Sequence, residues 1–407
     1  MRVLEARLQD LRKIMQEIRV DSYGIDIMYP KALSYLVKIN QISNITANIL
    51  KQEMLSLGAD AAIARGALTG ETKKTDCLLM GTLSQFNRLS RKLRLQPFNL
   101  DKLSQELRLA MENYKREKFV LALGSHRLRL GRRTQIMGIV NLTDDSFSGD
   151  GLYKTCDLPA ACGLRPATLE YIVEYAERLV KDGADIIDIG AESSRPGARP
   201  VSAKEELERA VPVIKRLVKK IKVPLSVDTC KPEVAKAALD CGVSIVNDIT
   251  GLRDKKMARL IAGYKCGVVI MHMKGRPQNM QKNPVYRSLI DEIMDFFHKS
   301  INSALDVGIE REKIIIDPGI GFGKTMEHNL TILKSLREFK VLGRPILVGP
   351  SRKSFIGKIL NAAPDKRICG TLSSSVLAAL NGADIIRVHD VKEVRQALKV
   401  MEAIIRA

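Results

Sequence analysis

Three short apolar runs in this chain end on groups that a protein does not bury without a partner. PLSVDT (224–229) carries Asp228, SIVND (244–248) ends on Asn247 and Asp248, and IIIDP (314–318) carries Asp317. Each run reads as a buried strand, and a carboxylate or amide at its end must find hydrogen bonds once water is gone. Any one of the three alone reads as a cap on the following helix. Together they suit a flat heterocycle that offers several N–H donors and a carbonyl. Groups of the opposite kind end other runs. Arg387 and His389 lie in IIRVHD (385–390), Ser351-Arg352-Lys353 in GPSRKSF (349–355), and Ser194 and Arg195 in SSRPG (193–197). Arginine donates in pairs to phosphate or carboxylate, and a cationic turn late in a strand series is a common phosphate holder. Asn141 opens the polar loop NLTDDSFSGDG (141–151). Its composition suits a lid, and the Asn141 oxygen is a candidate ligand for hydrated Mg²⁺. GADAAIARGALTGETKKTD (58–76) lacks the GxxxxGK[ST] spacing of a phosphate loop and reads as a solvent-exposed loop.

Polar strand ends converge only if one sheet holds them side by side. From residue 137 onward strands are expected at 137–141, 185–189, 224–228, 244–247, 267–272, 313–317, 345–349 and 384–389. Helices follow at 168–182, 203–221, 232–241, 254–264, 289–306, 327–338, 368–381 and 391–406. The strands are short and rich in Ile and Val, as buried parallel strands are. Ser202 with Glu205, and Pro232, mark helix starts. GADIIDIG and GADIIRVH repeat one unit at the second and eighth strands. Eight such units give an α/β fold, a (β/α)8 TIM barrel. An open doubly wound sheet has fewer strands and a glycine fingerprint, which is missing. In a barrel the site lies at the carboxyl ends of the strands, which nominates Asn141, Asp188, Glu192, Asp228, Asn247, His272, Asp317, Ser351 to Lys353, Arg387 and His389.

Ahead of the barrel we expect a smaller α+β domain over 1–119, with a β-hairpin lead-in at 120–136 and the barrel at 137–407. Within the first domain the pattern predicts a helix over 1–19, a strand at IDIMY (25–29) and a helix over ALSYLVKI (32–39). A helix ending at Gly58, a strand at 75–82 and two amphipathic helices at 83–95 and 99–117 follow. The net charge of +20 points to an anionic ligand. Aromatic residues make up only 4% and Trp is absent, which leaves little for base stacking and argues against nucleic acid. Seven cysteines without a CxxC pair argue for a reducing cytoplasm and against a disulfide framework or zinc site. No apolar run reaches the roughly 18 residues of a membrane span.

The motifs MGIVNLTDDSFSGDG, DIGAESSRPGA, PLSVDT, IVNDITG, IDPGIGFGK, PSRKSFIG and RVHD, in this order, resemble the dihydropteroate synthase family over about residues 120–407. The resemblance implies a TIM barrel that joins 6-hydroxymethyl-7,8-dihydropterin diphosphate to 4-aminobenzoate with Mg²⁺ and releases pyrophosphate by an SN1-like path. It implies that Asp228, Asn247, Asp317 and Lys353 bind the pterin. Asn141, Arg387 and His389 would hold the diphosphate, with Asn141 also near the metal. Ser194, Arg195, Phe322 and Ser351 would line the aminobenzoate site. On this resemblance Asp228, Asp317, Lys353 and Arg387 would be the catalytic set, and a homodimer is the family expectation. Four positions depart from the pattern: Asp144 stands where Pro is usual, SGDG (148–151) replaces SDGG, Ala191 replaces Gly and Ser194 replaces Thr. A pterin-binding methyltransferase working with a corrinoid protein shares the Asp/Asn/Asp set. It would not be expected to need SRK at 351–353 or the Arg387 and His389 pair, which argue for a diphosphate.

Overall fold

The structure is a computed structural model that describes residues 10–124, 126–143, 166–193 and 199–406. The chain divides into two compact units, Met1–Glu112 and Asn113–Ala407.

The first unit runs α1 (Asp10–Glu17), α2 (Ser22–Ala32), β1 (Ser34–Ser43), α3 (Asn44–Ser56), β2 (Asp60–Ile63), α4 (Arg65–Thr69), β3 (Lys74–Thr82) and α5 (Leu83–Leu93). Helix α6 (Leu100–Lys115) crosses the division. The sheet is antiparallel with order β1-β3-β2. Leu50 and Met54 of α3, Leu79 of β3, and Phe86, Leu89 and Leu93 of α5 form its core.

Two expectations are reversed here. IDIMY lies in α2, not in a strand, because the Asp21 side chain accepts from Gly24 N and starts a helix just before it. ALSYLVKI is mostly β1, not a helix. Tyr35, Val37 and Ile39 pack on the core while Leu36, Lys38 and Asn40 are exposed, and that period of two outweighs helix propensity. The 58–76 stretch is not all loop either: it contains β2, paired with β3, and the short α4.

The second unit opens with a hairpin, β4 (Phe119–Leu123) against β5 (His126–Leu130). The barrel strands are β6 (Gln135–Asn141), β7 (Ile186–Gly190), β8 (Leu225–Asp228), β9 (Ile245–Asp248), β10 (Gly267–Met271), β11 (Ile314–Asp317), β12 (Leu347–Val348) and β13 (Ile385–Val388). All neighbours are parallel, in the order β11-β10-β9-β8-β7-β6-β13-β12. A parallel bridge between Ile316 and Ile346 joins the two ends of that order into a ring.

Between the strands run α7 (Pro166–Lys181), α8 (Ala203–Lys220), α9 (Pro232–Asp240), α10 (Lys255–Tyr264), α11 (Leu289–Asp306), α12 (Met326–Lys334), α13 (Ser354–Leu360) and α14 (Ile368–Leu380), with α15 (Val391–Arg406) last. The TIM barrel is the architecture the alternation implied. In detail the 327–338 helix breaks into α12 and a 3₁₀ segment, Leu336–Leu342. Strand β12 is only two residues long, and α13 is an extra helix after it.

The period of two along each strand sorts the barrel interior into layers. Ile136, Ile187, Val246, Ile316 and Ile386 point outward and pack under the helices. Their neighbours Met137, Ile186, Ile245, Val269, Ile315, Leu347 and Ile385 point inward and pack with Leu121, Leu123 and Leu130 of the hairpin. The hairpin therefore stoppers the barrel at the amino ends of its strands. Ile315→Val, which removes one methylene from this layer, should cost about 1 kcal/mol. A urea melt should show a lower midpoint at unchanged slope.

Candidate active site

Two residues further along the same strands, and still inward, the layer turns polar: Asp188, Asn247, Asp317 and Arg387, walled by Met271. Strand β8 adds Asp228, two beyond Ser226. The Arg387 guanidinium binds two acids, with Nε donating to Asp188 Oδ2 at 2.6 Å and Nη2 to Asp228 Oδ2 at 2.8 Å. Asn247 Nδ2 donates to the same Asp188 oxygen at 3.1 Å. Asp317 Oδ1 accepts from Gly319 N at 2.7 Å. Lys353 Nζ sits 4.3 Å over the Phe322 ring, a cation–π contact.

These charges are strained by burial. Burial pushes the Asp228 carboxyl up to about 7; Arg387 opposes the shift, Asp188 and Glu206 add to it, and Lys353 opposes it. Asp228 keeps 16% of its side-chain exposure, yet its carboxylate is packed closely enough for desolvation to dominate. Asp317 is pushed up to about 6, again by burial, against the Gly319 N–H and Lys353. Lys353 is pulled down to about 8 by burial and by Arg387. The pocket thus holds acids that resist ionising beside a lysine that resists protonation. A ligand bearing both N–H donors and negative charge relieves both.

At the rim, Asn141 Nδ2 lies 3.4 Å from His389 Nε2, and His389 Nδ1 lies 3.1 Å from Ser351 Oγ. The three side chains form a row from β6 to the loop after β12. Over the loops after β7 to β10, a cleft of about 430 Å³ that reaches Asp228 is lined also by Glu192, Thr229, Thr250, Arg253, Met273 and Arg276, among others.

The structure therefore brings together Asn141, Asp228, Asn247, Asp317, Phe322, Ser351, Lys353, Arg387 and His389. Ser194 and Arg195 lie outside the described residues, as do Asp144 and the SGDG stretch. Some nominated groups are engaged elsewhere. Arg352 pairs through two nitrogens with Asp390, one bond at 3.0 Å, so Lys353 is the cation its loop brings to Asp228 and Asp317. Glu192 accepts from Lys231 Nζ at 2.7 Å, in a triad completed by Glu206 at 2.6 Å. Asp248 caps a turn through Thr250 and Leu252. His272 is a buried neutral wall residue whose pKa is lowered by burial and by Lys324.

Lys324 is the group the sequence reading passed over. It is 2% exposed, and its ammonium is 2.9 Å from His272 Nδ1, 3.0 Å from Phe322 O and 3.3 Å from His272 O. It staples the loop after β11, which carries Phe322, to the loop after β10. The signal was present in GFGK, a lysine directly after closely spaced glycines.

No three His, Cys, Asp or Glu side chains among the described residues cluster to cage a metal ion. The donor set fits Mg²⁺ all the same, because that ion keeps most of its waters and takes substrate phosphate oxygens. Asn141 turns its amide nitrogen to His389, which leaves its oxygen for such an ion.

Comparison with known proteins places the chain in a family. Residues 137–389 match the family described as pterin binding enzyme. A dihydropteroate synthase of Synechocystis sp. is 45% identical over 288 residues, covering 70% of this chain and 95% of the relative. A "Probable bifunctional folylpolyglutamate synthase/dihydropteroate synthase" of Halobacterium salinarum is 38% identical over 397 residues, covering 97% of this chain and 46% of that protein. The solved Xanthomonas albilineans dihydropteroate synthase with 4-aminobenzoic acid superposes with a TM-score of 0.64 at 40% identity, covering 71% of this chain and 99% of that one. The chain belongs to the pterin-binding enzyme family. Within it, the chain is one of the dihydropteroate synthases, the transferases of folate biosynthesis that make dihydropteroate. None of its described helices is long and apolar enough to cross a membrane.

Proposed function

We propose that this pocket joins 6-hydroxymethyl-7,8-dihydropterin diphosphate to 4-aminobenzoate with the division of labour that follows. Asp228, Asn247, Asp317 and Lys353 hold the pterin, with the two carboxylates facing its N–H groups. Asn141, Arg387 and His389 hold the diphosphate, and Ser194, Arg195, Phe322 and Ser351 line the aminobenzoate site. Asn141 would hold Mg²⁺ through its oxygen, and the ion would supply charge neutralisation for the leaving diphosphate. The exocyclic C–O bond breaks first, and its electron pair leaves with pyrophosphate. The electron-rich ring spreads the resulting cation, and Asp228 and Asp317 face that charge. The arylamine nitrogen then forms the new C–N bond and loses its proton to water. The observation that carries this reading is the polar inward layer, in which Arg387 binds Asp188 and Asp228 and the Asn247 amide binds the same Asp188.

Incubation with the pterin diphosphate, 4-aminobenzoate and Mg²⁺ should yield dihydropteroate. Methyl transfer from methyltetrahydrofolate to a corrinoid acceptor, without dihydropteroate, would replace this reading with the methyltransferase one. The pH profile follows from the site. Asp228 at about 7 and Asp317 at about 6 must be ionised to face a cation, so kcat/KM should fall as pH drops through about 7. Lys353 at about 8 must keep its proton, so kcat/KM should fall again above about 8. A flat profile between pH 5 and 9, on the scale of these values, would remove all three from the rate-determining charge set.

The same reading assigns the chemistry to residues 137–407, the lead-in to 120–136, and no chemistry to 1–119. A 113–407 fragment should be soluble and active, because Asn113 Nδ2 caps Val341 O at 2.9 Å within that unit. A soluble but inactive fragment would tie the first unit to the reaction, and an insoluble one would make it part of the core or interface. The free cysteines Cys77, Cys230, Cys241, Cys266 and Cys369 support a cytoplasmic setting. A homodimer is the working assembly, to be checked by sedimentation.

A further inference from the structure

We infer that Asp188 is a positioning residue for the diphosphate and pterin groups, acting through Arg387 and Asn247. The inference rests on the reaction proposed above. Asp188 is fully buried in the middle of β7. Its Oδ2 takes the Nε of Arg387 from β13 and the Nδ2 of Asn247 from β9, so one oxygen fixes two pocket groups from strands that are not its neighbours. Its Oδ1 is buried with no donor among the described residues. A buried orphan acceptor is costly and needs an explanation. A residue kept only for packing would be better replaced by an apolar one. The bond to Nε also sets the orientation of the guanidinium. With Nε on Asp188 and Nη2 on Asp228, Nη1 and the second hydrogen of Nη2 are left to donate elsewhere.

The groups facing Asp228 are Arg387 on β13, Asp188 on β7, Glu206 on α8 and Lys353 after β12. Removing the Asp188 charge takes away one repulsion and frees Arg387 to pair more fully with Asp228. Both effects favour the ionised Asp228 carboxylate. A role confined to packing would move neither the charge on Asp228 nor its titration.

The test is Asp188→Asn in the full chain, alone and combined with Arg387→Ala. Asp188→Asn should lower kcat/KM for the pterin diphosphate by about 30-fold while KM for 4-aminobenzoate stays within about threefold. The acid limb of the pH profile should move to lower pH. In the Arg387→Ala background Asp188→Asn should cost well under its own loss of about 30-fold, because the share carried through Arg387 is already gone and only the share through Asn247 remains. Wild-type kcat/KM, an unmoved acid limb, or fully additive losses would each overturn the assignment. If Asp188→Asn is insoluble, Asp188→Ser carries the same comparison; insolubility of both assigns Asp188 to the fold and overturns the proposal. Calorimetric titration with the pterin diphosphate separates the two readings. A wild-type protein that binds it without turnover sinks the reaction alone, whereas Asp188→Asn binding as tightly as wild type sinks the inference.

Discussion

Arg387→Ala should lower kcat/KM for the pterin diphosphate by about 100-fold, a loss of about 2.7 kcal/mol. The size follows from what Arg387 does before any ligand arrives. It is the shared partner of Asp188 and Asp228, and truncating one member of a buried ionic group leaves the others uncompensated. Asp228 already titrates near 7 with Arg387 beside it. Without that cation its pKa rises further, and at neutral pH it is protonated and no longer offers a carboxylate to the cationic ring. The acid limb should therefore move to higher pH, opposite in sign to the shift expected for Asp188→Asn. Steady-state kinetics between pH 6 and 9 measure both effects, the range being set by about 7 for Asp228. A variant with wild-type kcat/KM and an unmoved limb would show that Arg387 serves neither the diphosphate nor Asp228.

Gly319→Ala should destabilise the second unit by about 3–5 kcal/mol, adding left-handed strain to a backbone collision. Gly319 has φ +71°, and a Cβ there would lie 2.0 Å from the His272 carbonyl oxygen. Nothing flexible can yield, because that carbonyl belongs to the backbone that Lys324 staples. The fair comparison is Gly308→Ala. Gly308 has φ +93° with nothing within 4 Å of the added carbon, so it carries the strain alone, about 1–2 kcal/mol. Thermal melts of the two variants should separate by several degrees. Gly319→Ala should also raise KM for 4-aminobenzoate, because the loop that moves carries Phe322. Equal melting temperatures would mean that the two loops are not in firm contact in solution.

How far the site could be read from sequence depended on where each residue falls in its run. Asp228, Asn247 and Asp317 stood out because they close apolar runs, where a polar side chain marks a strand end. Asp188 lies inside IIDIG, where its position nominates it but nothing assigns it a partner. Only the layer two residues above Ile186 shows that it faces Arg387. Arg352 and Lys353 are adjacent cations of one turn, and their separation needed the position of Asp390 on a different loop. Glu192 is at the cleft, but its carboxylate is held by Lys231, which it shares with Glu206, a pairing that its own run does not show. In the first unit, IDIMY and ALSYLVKI are short runs in which both periods fit; the Asp21 cap decided the first and burial of alternate residues against the core decided the second. The eight-unit alternation was legible because it depends on many residues at once.

The hairpin of β4 and β5 has a consequence for how the protein is made. On the ribosome it emerges before any strand of the barrel, so the inner apolar layer has something to collapse on from the start. The ring itself closes only when β13 pairs with β6, setting Ile385 beside Gln135. Until nearly the whole chain has been synthesised, β6 has one free edge, and free edges invite pairing with other chains. Leu121, Leu123 and Leu130, which pack on that layer in the finished barrel, would be the apolar surface available to the nascent strands. Weakening the hairpin should reduce the soluble yield during synthesis more than it lowers the stability of the finished protein.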